Sequence, residues 1–239
     1  MKPLVIIPTY QERGNLEAVI GGVLGSGNFQ VLVVDDASPD GTGVLAEKLG
    51  RRSRGRVHVL HRPGKLGLGS AYRDGFRWAL DRGFDAIIEM DADLSHDPRY
   101  LPELLAALED CDVVIGSRYL EGISVVNWPL YRLAMSTFAN LYARTLTGLP
   151  VRDCTSGFVC FSRKALSAIP FGSTRSDGYA FQIETKFLAW RNGFRLREIP
   201  IIFVDRSHGT SKMSGHIMIE AVLAVLRLSG SRLGNDPAR

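Results

Sequence analysis

Val31-Leu32-Val33-Val34-Asp35-Asp36-Ala37-Ser38-Pro39-Asp40-Gly41-Thr42 carries the repeating unit of the fold in twelve residues. Four consecutive apolar residues, three of them β-branched, mark a strand buried on both faces. The Asp, Ser, Pro and Gly that follow stop the strand in a turn, and a helical pattern begins at Gly43. The same unit recurs on either side. Residues 4–7, 57–60, 86–90 and 112–115 are nearly continuous apolar runs, and helical patterns cover about 15–24, 43–49, 69–81 and 99–108. Strand and helix in alternation predict βαβ crossovers, hence an α/β fold with a mainly parallel sheet flanked by helices. The second half predicts a helix over 129–146 with proline in its first turn, a turn-rich segment Asp153-Cys154-Thr155-Ser156-Gly157, a helix over 181–191 and a strand over 196–204. A polar loop, 205–215, and an apolar helix, 217–228, complete the chain. With neither repeat nor linker, the economical division is one domain over 1–214 and a C-terminal helix and tail over 215–239.

Ligands of such sheets bind beyond the carboxyl ends of the strands. Three of those ends are acidic or turn-rich: Pro8-Thr9-Tyr10-Gln11-Glu12, Asp35 to Gly41, and Asp91-Ala92-Asp93. Any one of them is ordinary turn chemistry, but three opening onto one edge point to a site. Asp91 and Asp93 flank a small residue at the end of a buried strand, where negative charge needs a partner. Hard carboxylate oxygens so spaced suit Mg²⁺ or Mn²⁺ that also takes phosphate oxygens from a substrate.

Composition narrows the class. The 239 residues are 45% hydrophobic and 23% charged, a globular balance that excludes disordered and low-complexity chains. Basic residues number 29 and acidic 25, spread without runs, so a nucleic-acid partner is not expected. Cys111, Cys154 and Cys160 lack paired spacing, which speaks against a disulfide framework or zinc cluster and for a reducing compartment. The five histidines show no metal-ligand spacing. The apolar segment after Met1-Lys2-Pro3 is too short for a signal-peptide core. As a helix, Ile217 to Leu228 reaches roughly 18 Å, short of a bilayer core of about 30 Å; it is expected to lie on a membrane rather than cross it. Gly64-Lys65-Leu66-Gly67-Leu68-Gly69 lacks P-loop spacing and reads as a tight turn.

Four stretches carry a resemblance: Pro8 to Asn15, Val33 to Thr42, Gly64 to Gly69, and Met90-Asp91-Ala92-Asp93-Leu94-Ser95-His96. In order and spacing they resemble family 2 glycosyltransferases, and more closely the dolichol-phosphate (polyprenol-monophosphate) mannose synthases, from about Leu4 to Lys212. The resemblance implies a GT-A, Rossmann-like fold and an inverting transfer of mannose from GDP-mannose to a polyprenyl phosphate. It implies Pro8, Tyr10, Glu12, Val34 and Asp36 around the nucleoside, and Asp91, Ala92 and Asp93 at metal and diphosphate. Ser95 stands where many relatives carry a metal-holding glutamine. Arg118, Arg132, Ser136, Arg206 and Lys212 match positions that gather around the acceptor phosphate, the last two also around the donor diphosphate. Several arginines suit two anionic substrates brought together. Glu184 falls where relatives with hydroxyl acceptors carry a catalytic group, and for a phosphate acceptor it reads as positional. The implied setting is the cytoplasmic face of a membrane, peripherally bound, with a membrane-anchoring protein as a further partner.

Other readings stay in view. UDP-glucose as donor keeps the mechanism and changes the sugar. A non-catalytic nucleotide-sugar or lipid-binding partner is disfavoured by the intact acidic pair and cations. Processive polysaccharide synthesis lacks its Gln-x-x-Arg-Trp motif, since Trp190-Arg191 has the reverse order. A nucleotidyltransferase would carry a glycine-rich basic loop after the first strand, where this chain has Glu12.

Overall fold

The computed structural model describes residues 1–171, 174, 176, 178–205 and 215–233, without side chains at 215–219 and 231–233. Strands β1 (Pro3–Thr9), β2 (Gln30–Asp35), β3 (Val57–His61) and β4 (Ala86–Glu89) alternate with helices α1 (Arg13–Gly25), α2 (Thr42–Arg52) and α3 (Leu68–Asp81). A single 3₁₀ turn, Pro98–Tyr100, leads into α4 (Leu101–Ala107), and β5 (Val113–Ser117) follows. The second half adds β6 (Val125–Val126), α5 (Leu130–Thr147), β7 (Val159–Ser162), α6 (Arg163–Ala168), α7 (Gly178–Arg191), β8 (Leu196–Pro200), β9 (Phe203–Val204) and α8 (Gly215–Leu233).

Seven strands form one sheet in the order β3-β2-β1-β4-β7-β5-β8, while β6 and β9 pair separately. The β1–β2, β1–β4, β2–β3 and β5–β8 pairs are parallel, as the alternating pattern predicts. Among the described strands only β7 runs antiparallel, between β4 and β5. Strand order reverses at β1 and β4, and that switch point is where such sheets open a crevice. Alternate side chains of each strand feed two cores. Ile6, Val34, Ile115 and Phe161 join Phe76 and Phe181 on one side, and Val5, Ile7, Val33 and Ile88 join Leu16, Leu101 and Phe158 on the other. Helix α3 lies close on β1, since a Cβ at Gly75 would come within 2.8 Å of Ile6 Cγ2.

Two expectations need correction. Strand β7 is absent from the sequence reading, because four residues after a turn carry too little pattern to separate a strand from a loop. The strand expected over 196–204 is two: Ile201 N–H donates to Ser117 O, the chain leaves the main sheet, and Phe203 pairs with Val125. Helix α8 begins at Gly215, where the sequence sets off the C-terminal helix and tail. Helix α8 packs on α7 and α5, burying Ala224, Val225 and Leu228 in the core while Val222, Leu223 and Leu226 stay exposed. An all-round apolar helix here has one face inside and one outside.

Candidate functional site

The carboxyl ends of β1, β2, β4 and β5 open onto one cleft of about 440 Å³. Outside glycine, left-handed backbone among the described residues occurs at Gln11, Ala37, Arg54, Leu94 and Asn127. Four of the five are in the turns bordering this cleft, the kind of local strain that gathers at functional sites. Of the sequence-derived residues, Pro8, Tyr10, Glu12, Asp36, Asp91, Ala92, Asp93, Arg118 and Arg132 line the cleft. Val34 lies behind it, fully buried in β2. Ser95 and Ser136 are turned onto neighbours: Ser95 Oγ donates to Asp93 Oδ1, and Tyr119 Oη donates to Ser136 Oγ at 2.7 Å. Arg206 and Lys212 lie outside the described residues.

The two adjacent aspartates at the end of β2 have different work. Asp35 is structural, accepting from Thr9 Oγ1 at 3.0 Å and from Ser38 Oγ at 2.6 Å, which ties the β1 and β2 ends together. Asp36 faces the cleft and accepts from Arg62 Nη1 at 2.7 Å and from the Leu66 N–H at 3.1 Å. Burial outweighs these partners and leaves its carboxyl above the usual 3.8. Lys65, on the same 62–67 loop, lies 4.5 Å from the Tyr10 ring centroid. Glu12 caps the opposite side, its backbone N–H donating to Thr42 Oγ1 at 3.1 Å. The result is a polar pocket with an aromatic face, suited to a nucleoside.

The acidic pair stands at the switch point. The Asp91 N–H donates to His96 Nδ1 at 3.1 Å, which leaves the imidazole proton on Nε2. His96 stacks on Phe158 with centroids 4.9 Å apart, and burial lowers its pKa to about 4, so the ring is a neutral strut. The turn after β4 is thus held from below while the Asp91 carboxylate remains open to the cleft, its side chain 38% exposed.

Arg118, just past β5, is clamped by Asp153. Its backbone N–H donates to Asp153 Oδ2 at 3.0 Å, Nε to Oδ2 at 2.7 Å and Nη2 to Oδ1 at 2.7 Å. Burial alone would raise the Asp153 carboxyl, but the Arg118 charge and hydrogen bonds hold it below 3.8. Arg132, in the first turn of α5, donates to Asp205 Oδ2 at 2.7 Å. Both cations are oriented in advance by carboxylates, and both still line the cleft.

Sequence reasoning missed four residues. Arg62 and Asp153 act through partners 26 and 35 positions away, separations that leave no local signature. Lys186 is fully buried on α7, with Nζ donating to Ser156 O at 2.7 Å, Gln182 O at 3.0 Å and Cys154 O at 3.2 Å. Burial pushes its pKa down to about 8 and pushes Glu89, at the end of β4, up to about 8, each opposed by the other's charge. Through the Cys154 and Ser156 carbonyls, Lys186 ties α7 to the loop that clamps Arg118. The only signal was a lysine inside an otherwise buried helix face. Glu184, two residues earlier on the same helix, accepts the Ser176 N–H at 3.2 Å and does not line the cleft.

A switch-point cleft with a paired-aspartate turn after β4, closed by arginines from the elaborated second half, defines a glycosyltransferase of the GT-A fold. The chain belongs to glycosyl transferase family 2, whose family model matches residues 4–169. A polyprenol monophosphomannose synthase of Mycolicibacterium smegmatis is 47% identical over 226 residues, covering 94% of this chain and 85% of that protein. An undecaprenyl-phosphate mannosyltransferase of Micrococcus luteus is likewise 47% identical, covering 95% and 93%. Among solved structures, glucosyl-3-phosphoglycerate synthase from Mycobacterium tuberculosis, in complex with Mn²⁺, UDP and glucosyl-3-phosphoglycerate, matches with a TM-score of 0.69 at 20% identity. That match covers 96% of this chain and 80% of the other, and speaks to the fold alone.

Proposed function

We propose that this protein transfers mannose from GDP-mannose to the phosphate of a polyprenyl lipid, with inversion, giving a β-linked polyprenyl mannosyl phosphate. The observation that carries the reading is one cleft lined by both an acidic pair, Asp91 and Asp93, and two oriented arginines, Arg118 and Arg132. The names of two relatives at 47% identity agree with it.

In this reading Pro8, Tyr10, Glu12 and Asp36 hold the nucleoside, with Val34 supporting them from behind. Asp91, Ala92 and Asp93 meet the diphosphate. Arg118 and Arg132 grip the acceptor phosphate, with Ser136 beside them, and Arg206 and Lys212 serve both phosphates. The donor set fits a divalent cation: two hard carboxylates face the cleft, while the nearby imidazole nitrogen Nδ1 is taken by a backbone N–H. Among the described residues no three His, Cys, Asp or Glu side chains enclose a site. Mg²⁺ or Mn²⁺ held by few protein ligands, arriving with the diphosphate, matches that donor set. Bound there, with Ser95 steadying Asp93, it would offset charge building on the departing diphosphate.

The acceptor decides which other groups are needed. A phosphate monoester, with second pKa about 6, is largely ionised near neutrality. One of its oxygens bonds to the anomeric carbon as the bond from that carbon to the diphosphate oxygen breaks, and GDP leaves. No side chain has to take a proton. Glu184, spent on a backbone N–H away from the cleft, agrees with that economy.

The lipid must come from a membrane, and no helix among the described residues is long and apolar enough to cross one. Leu130, Tyr131, Phe138 and Leu141 of α5 are exposed beside Val222, Leu223 and Leu226 of α8. The two helices are joined where Tyr142 Oη donates to Val222 O at 3.3 Å, and they also carry the cleft residues Arg132 and Glu220. An apolar face so close to the cleft suits peripheral seating in a bilayer surface. Short polyprenyl phosphates incubated with GDP-mannose or UDP-glucose test the reading. Mannolipid with stoichiometric GDP supports it, glucolipid from UDP-glucose alone would reassign the donor, and diphosphate release would reject sugar transfer.

A further inference from the structure

Both cleft arginines lie against one indole. The Arg132 guanidinium carbon is 4.4 Å from the Trp128 ring centroid and that of Arg118 is 5.5 Å away. Phe203 meets the indole edge-on at 5.5 Å and lies 5.6 Å from Arg118. The small second sheet builds this contact. Val125 pairs with Phe203 and Val126 with Val204; Asn127 then turns through a left-handed φ of 65°, and Trp128 comes back toward Phe203. Pro129 follows as the N-cap of α5, which sets Arg132 one turn on. Asp205, one residue past β9, accepts from Arg132.

Two guanidinium groups that converge on one anion repel each other until it arrives. Asp153 and Asp205 offset that charge, and the electron-rich faces of the indole and phenyl rings add a non-ionic attraction that fixes where each cation sits. We propose that Trp128 is a positioning residue, its ring setting the separation and orientation at which Arg118 and Arg132 take the acceptor phosphate. The proposal rests on the acceptor reading above. Trp128 Nε1 is buried and has no hydrogen-bond partner among the described residues. The ring face, not the N–H, is therefore the working part, and phenylalanine should replace it where an aliphatic residue cannot.

Steady-state kinetics of the full chain with short polyprenyl phosphate and GDP-mannose test this, using Trp128→Leu, Trp128→Phe and Arg132→Ala. Trp128→Leu should raise the acceptor KM about tenfold, the scale of losing two partly desolvated cation–π contacts, and move the donor KM by less than about twofold. Trp128→Phe should recover most of the loss, and Trp128→Met, a softer non-aromatic filler, should behave as leucine if the leucine variant melts early. Equal effects of Phe and Leu, equal shifts for both substrates, or no shift would each overturn the proposal. Arg132→Ala separates the two levels. If it raises the acceptor KM and Trp128→Leu does not, the positioning role alone falls; if it leaves that KM unchanged, the acceptor site and this proposal fall together.

Discussion

Asp153→Ala should cost this protein more than any substitution of an exposed charge. The carboxylate takes three N–H donors from Arg118, two of them at 2.7 Å from the guanidinium, and the paired side chains are 6% and 0% exposed. Arginine stays charged at any accessible pH. Removing its partner strands a buried cation, a change worth about 3–5 kcal/mol. Thr155 Oγ1, which accepts from Nη2 at 2.7 Å, remains and favours the lower end of that range. With a urea dependence of about 3 kcal/mol per molar for a chain this long, the midpoint should fall by about 1 M. Equilibrium urea unfolding followed by circular dichroism measures it. A double variant, Arg118→Leu with Asp153→Leu, removes both charges and should keep more stability than Asp153→Ala while losing activity. A midpoint shift under about 0.3 M, or a double variant weaker than the single, would refute the view that Arg118 is held by a desolvated pair.

Asp91→Ala or Asp93→Ala should each lower turnover at least about 100-fold, the scale of losing an electrostatic stabiliser, in a chain that still melts normally; full activity in excess chelator would remove the divalent ion from the mechanism. Because the Asp153 carboxyl is held below its ordinary 3.8, the unfolded chain binds its proton first as pH falls. The stabilisation is therefore complete above about pH 4 and drains as pH drops through the folded value, so urea midpoints of the parent should fall on acidification more steeply than those of Asp153→Asn. Leu223→Glu with Leu226→Glu should abolish flotation with anionic liposomes and leave the fold intact, whereas a chain ending before Gly215 should unfold, since it loses Ala224, Val225 and Leu228 from the core.

The parallel half of the sheet was legible because strands such as Leu4–Ile7 and Val31–Val34 are buried on both faces and write that burial as unbroken apolar runs. The acidic ends were legible for a related reason: polar residues directly after such runs have one place to go. What stayed hidden depends on contacts between distant residues. Asp153 was visible as a turn residue, but its pairing with Arg118 follows only once β7 places the 153–157 loop beside β5. Arg62 stands before Pro63-Gly64 with no local signal of burial, yet it is 6% exposed because Asp36 draws it in. Which residues of helix α8 meet protein and which stay outside was not legible, because composition alone cannot tell an apolar face meeting protein from one meeting a membrane.

Acceptor choice bears most directly on transfer to a phosphate without a proton-removing side chain. Polyprenyl phosphate and the free polyprenol of the same length, offered in parallel with GDP-mannose and analysed by mass spectrometry, separate the possibilities. Mannosylation of the phosphate alone, with the new bond through phosphate oxygen, is the expected result. Comparable mannosylation of the free alcohol, or none of the phosphate, would contradict it.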